Sequence, residues 1–241
     1  MKDARALRTV ITGLLGLAAA EEEMLLTAVL SGGDGEAGGP RQWAAVPLLA
    51  HITEFKFQQS ERVRALLSSQ TPPEFADIDH ASPRVYAAYA ARSLEDVVAD
   101  ARGTTASLLD GVRALSDEDL LDPSRHPWLR GRALWLQIIV RGFWHPTGHI
   151  ADYYLRHGQP ERAVALQAHA LATARYLGAP PAAVGMAGYS LACAQARSGQ
   201  PDEAARTLAA AIQANPDLRA HASRDPDLAT VREAGLVEVL R

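Results

Sequence analysis

The sequence is poor in several residue types, and each shortage excludes a class of protein. It has one cysteine, Cys193, which can neither form a disulfide within the chain nor supply a cysteine-rich zinc module. Its 24 basic residues, among which only Lys2 and Lys56 are lysines, are outnumbered by 28 acidic residues. No basic stripe forms, so we expect no binding to nucleic acid through its phosphates. The excess of arginine, with abundant alanine, is typical of coding bias in a GC-rich bacterium.

Long hydrophobic runs are also missing. The apolar stretch from Val10 to Ala20 follows three basic residues and has the outline of a signal peptide. It is shorter than the about 20 residues that a membrane-spanning helix needs. Apolar residues at helical spacing continue beyond the acidic run at 21–23, where a cleavable signal would end. The pattern therefore favours a core helix of a cytoplasmic protein without a membrane segment.

Helical periodicity extends through nearly the whole chain, and no stretch alternates as a β-strand does. We predict four long helices, over about residues 3–30, 42–69, 82–115 and 133–157. Glycine and proline residues separate them, and Ser82 followed by Pro83 is a typical helix start. Four helices joined by loops of unequal length indicate an all-α protein built on a four-helix bundle.

The C-terminal part contains an internal repeat. The residues Gly-Gln-Pro-Glu-Arg-Ala at 158–163 recur as Gly-Gln-Pro-Asp-Glu-Ala at 199–204. Around the second copy, from Gly185 to Leu218, the spacing of small and large residues resembles a tetratricopeptide (TPR) repeat. So few repeats do not stand alone, and we expect them to pack on the bundle. The predicted domains are a bundle over 1–157 and a TPR-like helical extension over 158–241.

Three histidines are candidates for a metal-binding site. His145 and His149 are four residues apart, so both imidazoles project from one face of the predicted fourth helix. His51 lies in the core-facing stripe of the second helix. Three nitrogen donors from two facing helices can build a catalytic metal site with positions left open, and such donors suit zinc, nickel, copper or ferrous iron. The alternative interpretation is three core histidines satisfied by hydrogen bonds.

The surroundings of the histidine pair strengthen the metal hypothesis. Pro146 and Gly148 interrupt a long helix near the centre of its apolar surface. Since Pro146 cannot donate a hydrogen bond to the carbonyl of Gly142, we predict a kink or bulge there. Local irregularity of this kind costs stability and tends to persist where function requires it.

Two segments together resemble a known family. They are Trp43 to Ile52, with Leu-Ala-His-Ile at its end, and Trp144 to Ala151, which reads Trp-His-Pro-Thr-Gly-His-Ile-Ala. Over about residues 1–157 the chain resembles the DinB-like (YfiT-type) superfamily of four-helix bundles, and within it the ClbS/DfsB-like branch. The TPR-like extension departs from the minimal family pattern.

The resemblance implies a divalent metal, typically nickel or zinc, bound by His51, His145 and His149. It further implies a thiol-dependent transferase or a hydrolase of detoxification or resistance type. In that reading the metal activates a low-molecular-weight thiol, or water, against an electrophilic small molecule. A different interpretation is a non-catalytic protein that binds a partner through the TPR-like tail or sequesters a ligand. Homodimerisation is a further possibility.

Other polar residues have two interpretations each. Glu54 is one turn from His51 and Asp152 one turn beyond His149, so either carboxylate could orient an imidazole or act as a base. The simpler interpretation is that both are exposed helix carboxylates. In the segment 122–132, three arginines could hold an anionic substrate; they are Arg125, Arg130 and Arg132. The favoured interpretation of this segment is a packed surface loop with solvated guanidinium groups.

Overall fold

The structure is a computed structural model that describes residues 4–30, 44–75 and 83–235, and within these residues it contains helices and no β-strand. The predicted all-α fold is therefore confirmed. The chain divides into two compact units, Lys2–Pro146 and Thr147–Arg241. No helix among the described residues combines the length and the hydropathy needed to cross a membrane.

The first unit contains six α-helices among the residues described. They are α1 (Ala4–Leu30), α2 (Ala45–Leu67), α3 (Pro83–Ala90), α4 (Leu94–Ala114), α5 (Asp117–Leu121) and α6 (Leu134–Ile139). A 3₁₀ turn, Pro127–Leu129, precedes α6. Helices α1, α2 and α4 pack against one another and bury apolar side chains at helical spacing, among them Ile11, Leu25, Leu49, Ile52, Leu108 and Val112.

The prediction of one continuous third helix is wrong, because this part of the chain forms two helices. Helix α3 ends at Ala90 and α4 begins at Leu94. The hydroxyl of Ser93 accepts a hydrogen bond from the backbone N–H of Asp96 at 3.1 Å. This N-cap satisfies a backbone donor that a continuous helix would have bonded internally, so it favours a new start. The predicted start at Ser82 lies outside the described residues, as does the predicted loop over 31–40.

The irregularity predicted near Pro146 is present as a π-helical turn over Val140–Trp144. Here the N–H of His145 bonds to the carbonyl of Val140, one residue further back than in an α-helix. The turn joins α6 to α7 (His145–Arg156), which crosses the boundary between the two units. Pro146 has no N–H and cannot form the α-helical hydrogen bond to the carbonyl of Gly142. The π-helical turn therefore lies directly before a residue at which the α-helical hydrogen bond is already absent.

The second unit continues with five helices in the described part of the chain: α8 (Pro160–Tyr176), α9 (Pro181–Arg197), α10 (Pro201–Ala214), α11 (Leu218–Ala222) and α12 (Ala229–Glu233). Helix α9 packs against both α8 and α10. A Cβ atom at Gly185 would lie 2.9 Å from the carbonyl oxygen of Ala211, so glycine permits the close approach of α9 and α10.

The repeated sequence of the tail produces a repeated turn. Gly158 and Gly199 have φ angles of 69° and 75°, in the left-handed region that glycine adopts without strain. The following glutamines also match, with φ and ψ of −116° and 54° at Gln159 and −115° and 60° at Gln200. Each then leads into a proline that opens the next helix. Local sequence thus determines how α7 and α9 end and how α8 and α10 begin.

An ion pair is buried between α1 and α2. The ammonium group of Lys56 donates to the Glu22 carboxylate at 2.5 Å and to the Thr105 hydroxyl at 2.7 Å. Both charged side chains are almost fully buried. Burial raises the pKa of the Glu22 carboxyl by more than the attraction of Lys56 lowers it. The cost of removing these charges from water is therefore large compared with their mutual attraction.

We predict that Lys56→Met alone destabilises the protein by about 3–5 kcal/mol, because it leaves a buried carboxylate without its cation. The double variant Glu22→Leu/Lys56→Met removes both charges, and we expect it to be at least as stable as the wild type. Chemical unfolding followed by circular dichroism measures both. The exposed pair Glu23–Arg102, which joins α1 to α4, is the control, and Arg102→Met should change the unfolding midpoint little. A double variant as unstable as the single one would contradict the prediction.

Candidate metal centre

Three histidines come together in the structure. His51 of α2 is fully buried, and His145 and His149 of α7 are partly buried. One nitrogen atom from each imidazole lies within 4.8 Å of the other two. Within 4–30, 44–75 and 83–235, no other set of three histidine, cysteine or carboxylate side chains converges in this way. The cluster is one that could hold a metal ion.

Local sequence explains how two of the three rings come to the same point. Residues four apart on an α-helix share a face, and α7 is regular from His145 onward. The π-helical turn ends immediately before His145, so it sets the direction from which α7 and both of its imidazoles start. His51 stands among buried apolar residues of α2, with Ala50 and Ile52 on either side.

The donor set and its spacing fit a transition-metal ion. Bonds from zinc to imidazole nitrogen are about 2.0–2.1 Å, so two nitrogens on one ion are at most about 4.2 Å apart. The nitrogens here lie within 4.8 Å of one another, which is close to that separation. Three neutral imidazoles suit zinc, nickel, copper or ferrous iron, and do not distinguish among them.

Aromatic packing fixes the orientation of His145. Its ring stacks on Phe55, with centroids 3.9 Å apart and an interplanar angle of 17°. It also lies 4.9 Å from the ring of His51. The guanidinium of Arg141 covers Phe55 at 5.0 Å and donates to the Gln58 side-chain oxygen at 3.0 Å. A stacked imidazole has less rotational freedom, so Phe55 helps to preorganise one of the three donors.

Tyr89 is a neighbour of the cluster that the sequence pattern did not reveal. Its ring centroid lies 5.9 Å from that of His51. Burial, and to a lesser extent the negative charge of Glu54, raise the pKa of Tyr89 to about 12. The phenol therefore stays protonated at neutral pH and can donate a hydrogen bond. Tyr89 belongs to the short helix α3, which has no spacing relation to either histidine segment, whereas Phe55 stands four residues after His51.

The two carboxylates considered with the histidines have different surroundings. Glu54 is partly buried on α2 and accepts a hydrogen bond from Gln58 at 3.0 Å. It is close enough to Tyr89 to influence the phenol. Asp152 is half exposed and forms an ion pair with Arg197 of α9. Neither carboxylate belongs to the convergent group of three.

The arginines before α6 are surface residues. Arg125 pairs with Asp119 at 3.0 Å and with Glu118 at 3.7 Å. Arg130 and Arg132 are both exposed, and Arg132 donates to the carbonyl of Leu129. This arrangement agrees with the interpretation of the segment as a packed surface loop.

Comparison with known proteins gave no match: no family model, curated protein or solved structure is significantly similar to this chain. The family resemblance therefore depends on the residues of the two histidine segments alone.

We predict that the protein, purified without a polyhistidine tag and dialysed, retains about one divalent metal ion per chain. Substitution of any one ligand, as in His149→Ala, should lower the metal content to near zero, because two imidazoles bind an ion far less tightly than three. Elemental analysis measures the content and identifies the metal. The control is His221→Ala, which removes an exposed imidazole outside the cluster. Equal metal content in wild type and His149→Ala would contradict the prediction.

Proposed function

We propose that this protein is a bacterial cytoplasmic metalloenzyme of the DinB-like class. In this proposal residues 1–157 form the bundle that carries the site, and 158–241 form a TPR-like extension. His51, His145 and His149 hold a zinc or nickel ion, with iron as a further candidate. The enzyme transfers a low-molecular-weight thiol, or water, to an electrophilic small molecule. The convergence of three imidazole nitrogens within 4.8 Å is the observation that carries the proposal.

The proposed chemistry follows from a site with three protein donors. When bound there, a divalent ion keeps at least one position open and lowers the pKa of a coordinated thiol or water, so that a nucleophile is available near neutral pH. In the transferase reaction the thiol loses its proton, its sulfur forms a bond to the electrophilic carbon, and the leaving group departs with the bonding electrons. Water would take the place of the thiol in the hydrolase reaction.

The chain's own residues have separate roles in this proposal. Burial of His51 and stacking of His145 on Phe55 restrict the movement of two ligands and exclude water from one side of the site. Tyr89, protonated at neutral pH, donates a hydrogen bond to the developing negative charge of the leaving group. Glu54 receives the proton that the nucleophile releases, and its proximity to Tyr89 supports this assignment over Asp152, which is engaged by Arg197.

The test is a reaction between a series of small thiols and an aryl halide that changes colour on substitution. We expect wild-type protein to accelerate thioether formation, with a rate that depends on thiol concentration. His149→Ala should lower the rate by about 100-fold or more, because metal-ion catalysis contributes several kcal/mol and each 1.36 kcal/mol is tenfold in rate. His221→Ala should retain the wild-type rate.

Three other outcomes are informative. Turnover of an activated ester without any thiol would favour the hydrolase over the transferase. A metal-loaded protein that binds the electrophile in a one-to-one complex without turnover would contradict catalysis and support a sequestering protein. A rate that is the same in wild type and His149→Ala would remove the histidine cluster from the reaction.

A further inference from the structure

A buried glutamine of α8 is hydrogen-bonded to the backbone of α7 between its two histidines. Gln167 is only 4% exposed. Its side-chain Nε2 donates to the backbone carbonyl of Thr147 at 2.9 Å, and Thr147 is itself fully buried. Thr147 follows His145 by two residues and precedes His149 by two. The amide of Gln167 therefore fixes the midpoint of the segment that supplies two of the three imidazoles.

The internal repeat shows that this position does not need a polar side chain. Helices α7 and α8 correspond to α9 and α10, and the turn glycines Gly158 and Gly199 give the offset between the two copies. The same offset equates Gln167 with Leu208, which is fully buried in the apolar core of the second unit. A buried amide costs free energy unless it is hydrogen-bonded, and a leucine has no such requirement. Packing alone therefore favours an apolar residue at position 167.

The beginning of α7 has an irregular set of backbone hydrogen bonds. The N–H of His145 bonds to the carbonyl of Val140 in the π-helical turn, and Pro146 has no N–H to donate. The bond from Gln167 reaches this first turn of α7 from another helix. A carbonyl oxygen has two lone pairs, so Thr147 can accept from Gln167 and also from the N–H four residues further along α7. The side chain thus adds a constraint to the turn without replacing a helical bond.

The position of Thr147 on α7 explains how this bond can orient the histidines. Successive residues of an α-helix are about 100° apart around the axis, so Thr147 lies about 200° from both His145 and His149. Gln167 consequently contacts α7 on the side opposite to the imidazoles. A bond at that point resists rotation of α7 about its own axis. Such a rotation would move both imidazoles away from the third one together.

We propose that Gln167 is a positioning residue for the metal centre. Its hydrogen bond to Thr147 keeps α7 in the rotation at which both of its imidazoles can share an ion with His51. The inference rests on the metal site of the proposed function, and it is independent of the reaction assigned to that site. It gives α8 a part in the site although none of the three histidines belongs to this helix. Groups that orient metal ligands from behind commonly change metal affinity by about 10- to 100-fold.

The test removes the amide with little change in the size of the side chain. Gln167→Met keeps the length of the side chain and loses the donor, and Gln167→Leu introduces the residue found in the second copy of the repeat. Apoprotein without a polyhistidine tag is titrated with Co²⁺, whose visible absorption depends on the number and arrangement of its ligands. We expect both variants to bind Co²⁺ about tenfold more weakly than the wild type and to change the spectrum of the bound ion. Both apoproteins should unfold at the wild-type midpoint, because the Thr147 carbonyl keeps its bond within α7.

Gln195→Met is the matched control. It makes the same substitution in α9, at a partly buried glutamine whose side-chain oxygen has no hydrogen-bond partner among the described residues. We expect this variant to bind Co²⁺ with the affinity and the spectrum of the wild type. An equal loss of affinity in Gln195→Met would contradict a specific role for Gln167.

The remaining outcomes separate this inference from the proposed function. Unchanged Co²⁺ affinity and spectrum in both Gln167 variants would overturn the inference. A lower unfolding midpoint with an unchanged spectrum would also overturn it, because Gln167 would then serve the fold alone. Absence of Co²⁺ binding by the wild type would remove the metal centre and this inference with it. If the variants bind Co²⁺ more weakly but the wild type turns over neither thiol nor ester substrates, the proposed reaction fails and the role of Gln167 stands.

Discussion

The convergence of imidazoles from two helices is the constraint on which the candidate site depends. His51 is supplied by α2, and α7 supplies His145 and His149, so neither helix has the donor set alone. Bringing polar rings into a helical core costs free energy unless they acquire a partner. A shared metal ion is such a partner, because each imidazole nitrogen then donates its lone pair into a coordination bond. The proposed chemistry requires these three nitrogens and would have no physical basis without them.

Helix α2 shows two ways in which a helical core accommodates charge. On one side, Lys56 meets Glu22 and the hydroxyl of Thr105, so the protein itself compensates the buried cation. On the side that carries His51, the buried cation Arg62 has aromatic rings beside it and no described carboxylate. The ion pair with Glu22 compensates the buried charge of Lys56, whereas contact with aromatic faces offsets part of the cost of burying Arg62. The two faces of α2 thus accommodate a buried cation in different ways.

Features of the structure that depend on residues close together in the sequence could be predicted, whereas features that depend on packing between helices could not. The all-α fold follows from periodicity, and the bulge before His145 follows from a single proline that lacks an N–H. The division between α3 and α4 was missed, although Ser93 is a recognisable N-cap, because apolar spacing continues across it. Tyr89 could not be predicted, since its approach to His51 depends on how α3 packs on α2.

The sequence by itself determined which side chains could act together on one helix: His145 with His149, and His51 with Phe55. Residues three or four apart share a face whatever the tertiary structure, because the helical repeat is a property of the backbone. Only the tertiary structure decided that the two pairs meet, and that Arg62 is buried without a described anion. Contacts between helices depend on how their side chains pack in three dimensions, and residues distant in sequence carry no spacing signal for it.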